Sequence, residues 1–137
     1  MKITLCYSIK FAEKAEEIKK RLEKLEHQVF IVKTNNKFLG KDDETKEQIK
    51  LKQKYEDDAI GEHFSLITNS DSILVLNYEK NNIPNYIGGN VFLEMGVAYY
   101  LKKSIYLLNP IPHMPYHETE IIAMKPIIIN GNLTKIK

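Results

Sequence analysis

The chain has 137 residues, 43% hydrophobic and 28% charged, with 20 basic against 18 acidic side chains, a net charge of +2 and one cysteine. That is chain enough for a single domain, 1–137, with its own core. The even charge argues against a nucleic-acid surface, the lone cysteine excludes an internal disulfide, and no apolar run is long enough for a signal peptide or a membrane span, so a cytoplasmic protein without nucleic-acid or membrane partners is expected.

KITLCY (2–7) reads as a strand. Phe11, Ala15, Ile18, Leu22 and Leu25 then recur at helical spacing, and Glu16–Lys20 and Glu17–Arg21 are i,i+4 pairs on the other faces. An amphipathic helix over 11–27 follows, with Ser8 as a cap near its start. QVFIV (28–32) is a second strand, which completes a βαβ unit with a right-handed crossover. Residues 34–44 are polar and read as a loop; 45–69 read as one long helix or as two broken near Gly61. SILVLN (72–77) carries consecutive apolar residues, as a strand covered on both faces does. A helix over about 89–102, a strand at 104–108, a proline-rich loop, a short helical turn ended by Pro126 and a last strand at 127–130 complete the chain. Strands alternating with helices give an α/β, three-layer fold, a five-stranded parallel sheet with helices on both faces, flavodoxin- or Rossmann-like in architecture. Ligands bind such sheets beyond the carboxyl ends of strands, at the switch in strand order. Tyr7-Ser8, Asn77 and Asn109-Pro110 should converge there with the stretch from Gly88 to Glu94.

Residues 81–101 contain one charged side chain, Glu94, among Val91, Phe92, Leu93, Met95, Val97, Ala98 and Leu101. Apolar on nearly every side, this helix should be buried. A carboxylate there needs hydrogen bonds, a partner or a use. Gly88 and Gly89 ahead of it let a ligand approach backbone N–H groups at a helix N-terminus. One use is attack on an anomeric carbon to form a glycosyl ester; the structural alternative is a glutamate that caps a loop or pairs with a lysine. Asn77 and Asn90 are turn or cap residues by default and can hydrogen-bond a sugar or a base edge; Lys10 is an exposed helix-start lysine or a phosphate partner. His27, His113 and His117 lack metal-ligand spacing, so no metal and no cofactor is expected.

The pattern Gly88-Gly89-Asn90-x-x-x-Glu94-x-Gly96-x-Ala98, followed by Lys103-Ser104-Ile105-Tyr106 opening a strand, resembles the nucleoside 2-deoxyribosyltransferase superfamily, which includes the 2′-deoxynucleoside 5′-monophosphate N-glycosidases. Cys6-Tyr7-Ser8-Ile9-Lys10 is similar to that family's Cys-Gly-Ser-Ile-Arg after the first strand, and Ser70-Asp71-Ser72-Ile73-Leu74-Val75 to its Ala-Asp-x-Val-Val strand. The resemblance spans about residues 1–110 in matching order. It implies that Glu94 is the nucleophile and that Ser8 and the Gly88-Gly89 loop face the sugar or its 5′-phosphate. It also implies a homodimer, with residues borrowed from a neighbouring subunit; Tyr99, Tyr100 and the 109–116 loop are the candidates for that contact. Departures are specific. His63 stands where the family has an aspartate, Thr4 where the monophosphate glycosidases have a tyrosine, and Tyr7 where they have a glycine, which narrows the pocket. His63 is either a general acid for a departing base or a buried structural histidine.

The residues together point to an enzyme of the N-glycosidic bond of a nucleoside or nucleoside 5′-monophosphate, by hydrolysis or transfer. Glu94 and His63 are its catalytic candidates, and Tyr7, Ser8, Lys10, Asn77, Gly88, Gly89 and Asn90 its substrate-binding ones. The alternative is a nucleotide-binding module of the same fold without turnover.

Overall fold

The computed structural model describes residues 1–137. Strands β1 (Lys2–Cys6), β2 (Gln28–Phe30), β3 (Ser72–Val75), β4 (Ser104–Leu107) and β5 (Ile127–Ile128) form one five-stranded sheet in the order β2-β1-β3-β4-β5. Each neighbouring pair is parallel. Helices α1 (Ala12–Lys24), α2 (Asp43–Glu56), α3 (Ala59–Thr68), α4 (Gly89–Tyr100) and α5 (Glu118–Ala123) connect them. The α/β, three-layer architecture read from the sequence is the one observed.

Strand alternation divides the core in two. Ile3, Leu5, Leu74, Leu76, Tyr106 and Leu108 point to one face, where Ala15, Ile18 and Leu22 of α1 and the C-terminal Leu133 and Ile136 cover them. Cys6, Ile73, Val75, Ile105 and Leu107 point to the other, beneath Ile67 of α3, Val91, Met95 and Ala98 of α4 and Ile121 of α5. Both faces are covered, so β3 carries the unbroken apolar run expected of a parallel strand buried on two sides. No helix is long and apolar enough to cross a membrane.

Several expectations are corrected. α4 is not buried all round: Val91, Glu94, Met95 and Ala98 face inward, while Leu93, Tyr99 and Tyr100 are exposed. The helix lies in an outer layer and lays a single stripe on the sheet. The long helical stretch breaks at Asp57–Asp58 rather than at Gly61. Asp58 adopts a left-handed conformation (φ 48°), and its carboxylate accepts the Gly61 N–H at 3.2 Å. Gly61 sits inside the first turn of α3, where a Cβ would collide with that carboxylate. The polar segment 34–44 is not a plain loop either. A 3-10 turn (Asn35–Lys37) delivers Phe38, 2% exposed, into the interior. Ser8 does not cap with its side chain; a 3-10 turn (Ile9–Phe11) separates it from α1.

Asn77 follows β3 and is fully buried. Its Oδ1 accepts the Asn109 N–H at 2.9 Å, and its Nδ2 donates to the carbonyls of Asn109 (2.9 Å) and Pro110 (3.0 Å). Asn109 Nδ2 returns a bond to the Asn77 carbonyl at 3.0 Å. The side chain thus clamps the ends of β3 and β4 together and has no capacity left for a sugar or base. Replacing it leaves the Asn109 N–H without its acceptor. Asn77→Ala is expected to lower unfolding free energy by about 2–3 kcal/mol, the cost of a buried unmet donor. Urea denaturation checks this through a lower midpoint at an unchanged slope.

Candidate active site

The strand order reverses between β1 and β3, because β1 leads outward to β2 while β3 leads the other way to β4. A cavity of about 640 Å³ opens beside the carboxyl ends of these strands. That volume lies inside the range usual for small-molecule sites. Tyr7 and Ser8 bound it after β1, Gly88 to Glu94 along α4, and His63 and Phe64 from α3. Phe38, Tyr86 and Phe92 add aromatic walls, and Lys50, Gln53, Lys54 and Lys80 add polar ones.

Helical spacing explains how Glu94 reaches the interior. Val91, Glu94, Met95 and Ala98 share one stripe of α4, so the backbone that packs three apolar side chains on the sheet also turns the carboxylate inward. Glu94 is 6% exposed. On α3, His63 and Ile67 stand one turn apart on the buried face, and His63 is 8% exposed. The two meet with His63 Nδ1 2.7 Å from Glu94 Oε2. The contact is close but the ring N–H does not aim along it, and Oε2 and His63 Nε2 are both sealed from solvent without an aligned hydrogen bond. Attraction between charges therefore holds the pair. Burial alone pushes the imidazole toward its neutral form, yet the Glu94 carboxylate outweighs it, and the histidine is raised above its ordinary 6.5. The pair's contribution to stability is full below that ordinary value and is lost as pH rises through the raised one.

Around this pair the residues hold one another in place. Cys6 is fully buried; burial, then the Glu94 charge, pushes its thiol well up, so it is inert. Tyr7 donates its hydroxyl to Asn35 Oδ1 at 2.7 Å, and Asn35 Nδ2 donates to Ala12 O and to Glu16 Oε1. Burial first, then Glu16 and Glu94, drives the Tyr7 phenol upward, so it stays neutral and serves as a fixed wall. Ser8 Oγ accepts from Lys80 Nζ at 2.9 Å. Lys80 itself is set by a tight turn: its N–H and C=O both pair with Ile83 across Asn81 and Asn82, each at positive φ (53° and 61°). No side chain caps α4, so the amide groups of its first turn are free to meet a ligand.

The structure brings Glu94, His63, Tyr7, Ser8, Gly88, Gly89 and Asn90 to one cavity. It leaves out Asn77, whose bonds are spent on the clamp. Lys10 is left out too: it points outward and pairs loosely with Asp43 at 3.8 Å. Thr4 lies deeper along β1, bonded to Ser70 Oγ and the Leu66 carbonyl. Phe38, Lys50, Gln53, Lys54, Lys80 and Tyr86 were not evident from the sequence. The Asn81-Asn82 pair beside Lys80 was the one local signal.

Models of known families and curated proteins give no match to this chain. Among solved structures, a 2-deoxyribosyltransferase from the psychrotolerant bacterium Bacillus psychrosaccharolyticus is similar, with a TM-score of 0.52 and 18% identity over 78% of this chain and 71% of that one. At that identity the likeness is one of fold.

The opposing influences on His63 can be separated. In Glu94→Gln the carboxylate is gone while burial, Glu62 and the Leu5 backbone remain, so the imidazole should titrate lower than in the parent. Chemical-shift titration of the His63 ring carbons measures both; an unchanged value in the variant would show that Glu94 does not set it.

Proposed function

We propose that the protein cleaves the N-glycosidic bond of a nucleoside or nucleotide, with Glu94 as nucleophile. One observation carries the reading: a single buried carboxylate stands in a cavity against an imidazole that engages Oε2. The reading assigns the attack to Oε1, the carboxylate oxygen that does not face His63.

Oε1 attacks C1′, the bond from C1′ to the base nitrogen breaks, and its electron pair leaves with the base. The proton comes from His63 Nδ1, the nitrogen held at Oε2, which has to turn from that oxygen to the departing base because Nε2 is sealed. While Glu94 carries its charge, the imidazolium is stabilised; once Glu94 is an ester, the largest influence opposing burial is gone and the histidine becomes a stronger acid. Ester formation and proton release are thereby coupled through one contact. Water, or a second base, then attacks C1′ of the ester and gives its proton to the now neutral His63, while the C1′–Oε1 bond breaks and returns the carboxylate. Phe38, Phe64, Phe92 and Tyr86 offer apolar and stacking surface to a base, and the free amides of α4 offer donors to hydroxyl or phosphate oxygens. The likeness of fold to a 2-deoxyribosyltransferase supports the same class of chemistry. Binding of nucleotides without any turnover is the competing outcome of the assay below.

Incubation with deoxynucleosides and their 5′-phosphates, followed by chromatography for free base, tests the proposal. Base release is expected from the parent and a loss of at least about 10³-fold in kcat from Glu94→Ala. His63→Ala should lose about 10²–10⁴-fold, as removal of a general acid does. In the parent, kcat should fall as pH rises through the raised value of His63, and that limb should vanish in His63→Ala. Nucleotide binding with no base released from any of these substrates would contradict the proposal.

A further inference from the structure

One wall of the cavity is cationic. Lys50 and Lys54 stand one turn apart on α2, Gln53 lies between them on the same face, and Lys80 faces them across the opening. All three lysines are partly buried. Lys54 and Lys80 form no ion pair, and the one partner of Lys50 is Glu47 at 2.8 Å, on its own helix and half exposed. Burial first, then the charge of Lys50, with Lys10 adding and Glu47 and Asp43 opposing, lower Lys80 from its usual value. Gln53 Nε2 is a buried donor with no acceptor in the protein. Like charges gathered around an unmet donor lack an anion.

The arithmetic of charge narrows what that anion is. A nucleoside brings none, and a 5′-monophosphate about −1.5 to −2. Ser8, Lys80 and the uncapped first turn of α4 line the cavity and offer donors enough for one phosphate. Lys50, Gln53 and Lys54 line it from a different element, α2. We infer that the cavity takes a nucleotide with at least two phosphates, the first at Ser8 and Lys80 and the next on Lys50, Gln53 and Lys54. This rests on the proposed function in placing sugar and base at the Glu94 end.

Calorimetric titration of Glu94→Gln, which holds substrate without cleaving it, tests the inference with a deoxynucleoside and its 5′-mono- and diphosphates in metal-free buffer. The diphosphate should bind about tenfold or more tighter than the monophosphate, as an added charge-assisted contact implies. Adding Lys50→Gln and Lys54→Gln should remove that gain and leave monophosphate affinity within about threefold. These are partly exposed positions on α2, and an unchanged Tm confirms that the variant is folded. Equal affinity for mono- and diphosphate, or a parallel loss for both in the double-lysine variant, overturns the inference. The two proposals fail separately. A diphosphate gain that depends on these lysines, without base release by the parent, sinks the glycosidic chemistry alone. Base release with no gain from a second phosphate sinks the polyphosphate seat alone.

Discussion

Glu94 and His63 face each other at 2.7 Å, each less than a tenth exposed, between a parallel sheet and its covering helices. Removing two ionisable groups from water costs several kcal/mol, and their attraction in the interior roughly returns it. Such a pair is a poor way to stabilise a fold; a well-packed apolar pair would serve as well. What it achieves is control of charge. The carboxylate keeps the imidazole protonated where burial would strip it, and loss of the carboxylate's charge releases the proton. Chemistry at a glycosidic carbon needs that sequence: a carboxylate at the outset, and an acid at the moment the base departs.

The rest of the fold supplies position and shape. The reversal of strand order between β1 and β3 leaves a crevice, and α4 begins at its rim with uncapped amides. Asn77 ties the β3 and β4 ends together from below, and Asn35 fixes the Tyr7 hydroxyl at the side. Each of these polar groups is buried and has its partners, so the crevice is built by committed hydrogen bonds rather than by mobile loops. The lysines of α2 and the turn at Asn81-Asn82 then add positive charge to the cavity that Glu94 and His63 also line.

Much of this was legible in the chain itself. Short apolar runs located the strands and helical spacing located α1, and the lone acid among apolar neighbours marked Glu94. Local pattern carries no distance, so the partner of that acid came from a resemblance, as a histidine in an aspartate's place. The α2 wall was hidden for a plain reason: Lys50, Gln53 and Lys54 look like any solvated helical face until α3 folds beside them. Phe38 was hidden inside a polar segment whose 3-10 turn turns it inward. Asn77 and Lys10 are residue types that bind ligands readily, and only tertiary contacts show that one clamps two strand ends and the other pairs with Asp43 at the surface. Apolar residues on the outer side of α4 suggested burial that the layer order does not provide.

The covalent step at Glu94 is the centre of this mechanism, and peptide mass mapping reads it directly. A nucleotide bearing fluorine at C2′ destabilises the oxocarbenium-like transition state of ester breakdown, so a glycosyl ester made from it persists. After acid quenching, the peptide that contains Glu94 should carry the added mass of the sugar moiety, with base released in equal amount. Release of base with Glu94 unmodified, or with the sugar on another side chain, would contradict it.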